Sequence, residues 1–310
     1  MTHAIDPTRR RLVIGGAALT LTALAAPARA ASHAASVEGV SRASVGAREL
    51  IGFLDGRIPL PAGALQGASD EELVDLIGGQ SFEGFINAYA VRGGDGLTLI
   101  DSGAGTMMGA PSGRLDTLMR EAGLDPADVS TVLLTHLHPD HIGGLIGEGQ
   151  LEVPNATLKL HEAERAFWTS DEAKAQAGEG AAQFFDAARG LLEGFGERVE
   201  TFSGEADVAP GLTAMELFGH TPGHTGFTLS DGDATTLIWG DIVHVPPVQF
   251  ARPDVTIGFD VNPDEARATR TRVFDMTATD DLPVAGMHLV FPGVGTVTRE
   301  GEGYGFNAAT

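Results

Sequence analysis

Three histidines and an aspartate fall within six residues, His136-Leu137-His138-Pro139-Asp140-His141, directly behind the apolar run 129–134. That run reads as a buried strand leading into Thr135-His136. On an extended segment, side chains two apart point the same way, so the rings of His136 and His138 share a side. Pro139 then turns the chain, and Asp140 and His141 face a neighbouring point. Such a cluster can hold two metal ions side by side, one on the His pair and one on the Asp-His pair. The chain has no cysteine, which excludes disulfide staples, Cys nucleophiles and thiolate zinc sites. Imidazole with carboxylate favours zinc or a similar divalent ion.

The cluster cannot close two coordination shells alone, so further ligands are expected at other strand ends, where binding groups are mounted. His220-Thr221-Pro222-Gly223-His224 follows an expected strand at 212–218, Asp241 follows Leu237-Ile238-Trp239-Gly240, and His288 follows an expected strand at 282–287.

Around these points the sequence predicts a hairpin at 51–60, with Asp55-Gly56 as its turn, and a helix over 70–77 opened by the capping box Ser69-x-x-Glu72. Strands are expected at 85–91, 97–100, 156–160, 198–202, 225–230 and 235–239, and helices at 114–122, 162–168 and 171–189. Gly178 and Gly180 interrupt the last, making it two helices or a flap. Asn262-Pro263-Asp264-Glu265 opens a helix to about 277. Strands followed by a helix, twice over, suggest two sheets packed together with helices outside.

Thr8-Arg9-Arg10-Arg11-Leu12, an apolar stretch at 12–26 and Ala28-Arg29-Ala30 have the parts of a cleavable export signal. The apolar stretch is 15 residues, short of the ~20 that span a bilayer, so no stable membrane anchor is expected. The Thr-Arg-Arg-x-Leu opening resembles a twin-arginine signal. The expectation is a signal over 1–30 cleaved after Ala30, a loose leader at 31–45, and one catalytic domain over 46–310 in a periplasmic or otherwise exported protein. Twenty basic against 42 acidic residues give a net charge of −22, and Lys159 and Lys174 are the two lysines. That balance argues against nucleic-acid binding, which rests on basic side chains neutralising phosphates.

Thr-His-x-His-x-Asp-His at 135–141, His-Thr-Pro-Gly-His at 220–224, Gly240-Asp241 after an apolar strand, and the late His288 together resemble the metallo-β-lactamase superfamily over about residues 80–300. The Asp101-Ser102-Gly103 turn matches a further motif of that family. Gly240-Asp241-Ile242-Val243-His244, Val248-Gln249-Phe250, His288-Leu289-x-Phe291-Pro292-Gly293 and Gly303-Tyr304-Gly305-Phe306 resemble its methyl parathion hydrolase branch and lactonase relatives. The resemblance implies a four-layer αββα sandwich, two mixed β-sheets packed face to face with helices outside. It implies one metal on His136, His138 and His220, and a second on Asp140, His141 and His288. Asp241 would bridge them, with Asp140 and Asp241 as the catalytic carboxylates. The family pattern puts the aspartate some twenty residues after the histidine ligand, which selects His220 and leaves His224 in support. Thr135 is expected to support the ligands, and Asp101 either to orient a ligand loop through hydrogen bonds or to serve as a plain turn. A homodimer is compatible with the resemblance.

The expected cofactor is a pair of divalent ions, Zn2+ first, whose shared hydroxide would attack a carbonyl or phosphoryl centre. No Gly-x-Ser-x-Gly elbow or P-loop competes as a catalytic device. The substrates expected are small neutral lactones or aryl esters, with phosphotriesters of the methyl parathion type as secondary activity. The alternatives are a one-iron persulfide dioxygenase, which shares the His-x-His-x-Asp-His cluster, and a metal-binding protein without catalysis. Apolar pocket candidates are Met107, Met108, Phe167, Trp168, Phe184, Phe185 and Phe250, with Trp168 and Phe184 or Phe185 preferred. His244 is expected to line the pocket where quorum-quenching lactonases carry a tyrosine that this chain lacks. His161 is expected to be structural.

Overall fold

Apolar residues alternate sides along most strands, and that alternation decides the layering. The computed structural model describes residues 37–94, 96–109, 111–147 and 149–309; the expected signal over 1–30 lies outside them. The first half of the chain forms β1 (Val40–Val45), β2 (Arg48–Pro61), β3 (Leu65–Gln66), α1 (Asp70–Ile77), β4 (Ser81–Gly93), β5 (Gly96–Ile100), α2 (Leu115–Glu121), β6 (Val129–Leu133), α3 (Pro139–Ile142), β7 (Thr157–His161), α4 (Glu162–Thr169), α5 (Asp171–Ala177), α6 (Glu179–Phe195) and β8 (Val199–Phe202). The second half forms β9 (Asp207–Ala209), β10 (Leu212–Glu216), β11 (Thr225–Asp231), β12 (Ala234–Ile238), α7 (Pro246–Gln249), β13 (Thr256–Ile257), α8 (Pro263–Thr279), β14 (Val284–Ala285), β15 (Val294–Glu300) and β16 (Gly303–Ala308).

Among the described residues two seven-stranded sheets result, ordered β1-β2-β4-β5-β6-β7-β8 and β16-β15-β14-β12-β11-β10-β9, with β3 and β13 as a separate pair. Both large sheets are mixed: β5 to β8 run parallel to one another, as do β12 and β14. One side of the first sheet, including Leu50, Tyr89, Val91, Ile100 and Leu133, packs against Leu212, Ala214, Phe227, Leu229 and Ile238 of the second. Their sequence neighbours Ile51, Ala90, Leu99 and Val132 point the other way, into a cluster with α2 and α6. On the far side of the second sheet, Leu237, Trp239 and Val284 meet Val273 and Phe274 of α8. Helix, sheet, sheet, helix is the arrangement that buries both faces of both sheets.

Several local signals act as expected. Ser69 caps α1 by accepting a hydrogen bond from Glu72 N–H. The helical stretch after Asp171 breaks at Gly178, whose φ of 78° suits glycine. The hairpin expected at 51–60 is absent. β2 runs through that stretch as one strand, with a bulge between Leu54 and Gly56 where the register on β4 shifts. The turn lies earlier, at Gly46-Ala47, with Gly46 at φ 61°. Residues 40–45, expected within the loose leader, are therefore strand β1, and Val45 is buried between the sheets. Asp55 turns inward at the bulge and accepts from Ala104 N–H and Leu115 N–H at 2.9 Å each and Gly113 N–H at 3.2 Å. It fastens the segment after β5 to β2.

Candidate metal centre

The strands β6, β10, β12 and β14 deliver their following residues to one rim of the two packed sheets. His136 follows β6, and His138 stands at the N-terminus of the one-turn helix α3, which carries Asp140 and His141. His220 lies between β10 and β11, Asp241 follows β12, and His288 follows β14. His136 Nε2 lies 2.9 Å from His138 Nδ1, which lies 2.9 Å from His220 Nε2. His288 Nε2 lies 3.4 Å and His141 Nε2 3.8 Å from Asp140 Oδ2.

Asp241 Oδ2 stands between these groups. It is 3.6 Å from His136 Nε2, 3.3 Å from both His141 Nε2 and His220 Nε2, and 3.2 Å from His288 Nε2. His136, His138, His220 and Asp241 thus form one group able to hold a cation, and Asp140, His141 and His288 another. His244 joins the same focus, its Nε2 3.1 Å from Asp241 Oδ2, and stacks on His288.

The opposite edge of each imidazole fixes which nitrogen faces inward. His141 Nδ1–H donates to Asp101 Oδ2 at 2.7 Å, His220 Nδ1–H to Asp260 Oδ1 at 2.8 Å, and His288 Nδ1–H to the Phe85 carbonyl at 2.7 Å. Thr135 Oγ1 donates to Asp101 Oδ2 at 2.7 Å, which leaves its lone pair to accept from His136 Nδ1–H at 3.0 Å. Four imidazoles thereby turn Nε2 toward the centre, the nitrogen that binds a cation once it has lost its proton. His141 Nε2 and Asp241 Oδ1 are buried with no hydrogen-bond partner. Buried polar atoms left unpaired are costly; His141 Nε2 faces Asp140 and Asp241, where a cation would satisfy it. The residues fit a pair of divalent ions by donor chemistry, orientation and these unpaired atoms.

Charge tells the same story. Burial pushes the His136 and His138 pKa values well below the usual range, and neighbouring imidazoles add to it. Burial also opposes charge on His220, but hydrogen bonds to Asp241 and Asp260 outweigh it and raise its pKa to about 9. For His141 and His288 burial again opposes charge, but the surrounding carboxylates, Asp241 foremost, together outweigh it and raise both. Burial alone would raise Asp241, yet the surrounding imidazoles hold it well below the carboxylate range. The ion-free centre therefore carries protons that an incoming cation displaces.

His224 stands apart. Its Nδ1–H donates to the Leu217 carbonyl at 2.8 Å and its Nε2 accepts from Asp241 N–H at 2.9 Å, so both nitrogens are engaged by backbone. Burial pushes its pKa down to about 3. Of the two histidines flanking Thr-Pro-Gly, His220 is the one brought into the first group. Asp101 also accepts from Thr135 N–H at 2.8 Å and has φ 55°, a left-handed backbone that non-glycine residues seldom adopt. His161 caps α4, accepting from Ala163 N–H at 3.1 Å, and lies 3.2 Å from Glu216.

Above the centre lies a cavity of about 100 Å3, lined by Ile58, Leu60, Met108, Phe184, His244 and Phe259 together with the inward-facing His and Asp residues. Met108, Phe184 and His244 are where the sequence suggested. Five pocket candidates are not. Phe185 is core beneath α6, and Phe250 packs among Trp239, Phe274 and Phe306 behind the second sheet. Trp168 is buried against Phe185 and touches the centre only through the edge of the His138 ring. Large apolar rings are drawn to whichever core is nearest, and sequence spacing does not say which that is. Phe167 packs beside Trp168 and Phe185, and Met107 is exposed. Asp260, Glu164, Ile58, Leu60 and Phe259 escaped the sequence reading. No local pattern marks Asp260 as the partner of a histidine 40 residues before it.

The family profile described as the metallo-beta-lactamase superfamily matches residues 82–288. Among solved structures, the chain is similar to the hydrolase AbOPH of the beta lactamase superfamily, at 29% identity and a TM-score of 0.82, covering 89% of this chain and 99% of that one. It also resembles AidC, a dizinc quorum-quenching lactonase solved with a product, at 24% identity and a TM-score of 0.81, covering 88% and 98%. A probable metal-dependent hydrolase from Staphylococcus aureus aligns at 16% identity and a TM-score of 0.72, covering 86% and 100%. A family match that runs from β4 to His288, and so spans the strand ends that build the centre, means that this chain belongs to the metallo-beta-lactamase superfamily and is a metal-dependent hydrolase.

Proposed function

We propose that the protein is an exported hydrolase that uses two divalent ions, Zn2+ by donor chemistry, to open small neutral lactones or aryl esters, with phosphotriesters as secondary substrates. The observation that carries this reading is the convergence of imidazole nitrogens on Asp241 Oδ2, within 3.1 to 3.6 Å, at the floor of a cavity walled by Ile58, Leu60, Met108, Phe184 and Phe259. When bound, such ions bring a coordinated water toward neutral pKa and polarise the bond under attack. The chain's own part is to hold and orient. His136, His138 and His220 would take one ion, Asp140, His141 and His288 the other, and Asp241 both.

The apolar walls exclude water from one side of the cleft, and among the described lining residues there is no ammonium or guanidinium to recruit an anion. That favours an uncharged substrate. A dizinc lactonase and a hydrolase of the same superfamily among the structural relatives support the same reaction class. Export through a twin-arginine-type signal cleaved after Ala30 completes the reading and rests on the sequence. The test is a panel of a lactone, an aryl ester, a phosphotriester and a cephalosporin with zinc-loaded protein, alongside metal analysis. Turnover of the lactone or aryl ester with close to two ions per chain is expected. Activity confined to the cephalosporin, or one iron per chain with oxygen uptake, overturns it.

A further inference from the structure

A buried carboxylate outside the ligand set joins the two loops that carry the three-histidine group. Glu164, in the first turn of α4, is fully enclosed. Its Oε1 accepts from Leu137 N–H at 3.0 Å and from the Trp168 indole N–H. Its Oε2 accepts from Thr221 Oγ1 at 2.7 Å and Gly223 N–H at 3.0 Å. Leu137 sits between His136 and His138, and Thr221 and Gly223 follow His220. One side chain therefore fixes the backbone on both sides of the group, although His138 and His220 are 82 residues apart. Approach is close enough that a Cβ on Gly223 would stand 2.2 Å from Glu164 N. The indole held by the same carboxylate lies edge-on to His138, ring centres 5.5 Å apart.

We infer that Glu164 is a positioning residue for the His136, His138 and His220 group alone, holding its two loops at the separation that one divalent cation requires. The physical reason lies in the donors. Two backbone N–H groups and an indole N–H can only donate, so the acceptor must offer both oxygens. An amide in its place offers one oxygen and turns an NH2 group toward two of the donors. Thr221 can rotate its hydroxyl to accept, but a backbone N–H cannot, and the loop must move. The histidines of the second group make their outer hydrogen bonds elsewhere, His141 to Asp101 and His288 to the Phe85 carbonyl, so the loss of this carboxylate leaves those bonds in place. Removing an outer hydrogen-bonding partner of metal ligands costs roughly 10- to 100-fold in affinity.

The inference rests on the paired-metal reading, and the experiment separates the two. Ion-free protein is titrated with Zn2+, bound ions are counted, and Trp168 fluorescence is followed in a Trp239→Phe background, which leaves one tryptophan. Expected is that wild type takes up two ions, while Glu164→Gln keeps one at wild-type affinity and takes the other roughly 10- to 100-fold more weakly. The Trp168 response should move with the weaker ion. Thr221→Val should show a smaller shift in the same ion, and Thr221→Ser should restore it. Two ions bound at wild-type affinity in Glu164→Gln and Thr221→Val overturn the inference alone, as does equal weakening of both ions. A wild-type protein that takes up no second ion overturns the paired-metal reading, and the inference with it.

Discussion

His220 and His224 flank the same Thr-Pro-Gly turn, yet replacing them should do opposite things. His224 is fully buried, and its ring spans Leu217 O at 2.8 Å and Asp241 N–H at 2.9 Å. His224→Ala strands one buried acceptor and one buried donor, each costing about 1–3 kcal/mol, before the void left by the ring is counted. A loss of about 2–6 kcal/mol is a large share of the roughly 5–15 kcal/mol that holds a domain folded. At roughly 2–4 °C per kcal/mol for a chain of this size, the melting temperature should fall on the order of 10 °C. His220→Ala removes a nitrogen from the first group, so its principal effect should be loss of one ion. Thermal unfolding of the ion-free proteins isolates the first effect from stabilisation by bound metal, and zinc titration measures the second. If His224→Ala melts within about 1 °C of wild type and loses an ion while His220→Ala keeps both, the hydrogen-bond assignment at this turn is wrong.

Three further outcomes follow from the same geometry. In ion-free protein the His220 pKa is raised to about 9 from the usual 6.5, so its share of stability is full below pH 6.5 and is lost as pH rises toward 9. The melting temperature should decline across that window, and zinc affinity should strengthen, because fewer protons are left to displace; calorimetry in buffers of different ionisation enthalpy checks both. Asp260→Asn keeps an oxygen opposite His220 Nδ1–H but no charge, and should weaken one ion by roughly 10-fold or more, read by the same titration. Phe250 and Phe259 should separate core from cleft. Phe250→Ala should cost about 3–5 kcal/mol in denaturant unfolding with little change in KM, whereas Phe259→Ala, at a residue 52% exposed, should raise KM with little loss of stability.

Much of the centre was legible because it is written in short range. Three imidazoles and a carboxylate within six residues need only an extended segment and a proline turn to converge, and both are local. The Ser69 cap, the break at Gly178 and the start of α8 at Asn262-Pro263 depend on neighbours within one helical turn, so they too could be read directly. The strand ends that supply His220, Asp241 and His288 were recognisable because apolar runs stop at them.

Other features needed the folded chain. Asp55-Gly56 has the composition of a hairpin turn, but Asp55 lies opposite three backbone donors in the segment 104–115, and those bonds outweigh the local preference, leaving a bulge in one long strand. Phe185 and Phe250 are as apolar as Phe184, and only packing decides which of them meets the cleft. Asp260 and Glu164 carry no pattern in the sequence because the histidine and the ligand loops they hold lie 27 to 59 residues away along the chain. The sequence determined the ligand chemistry, imidazole and carboxylate without thiolate. The tertiary structure decided which nitrogen each histidine presents, since that depends on a hydrogen bond made by the ring's other edge to a group supplied, in most cases, by a distant part of the chain.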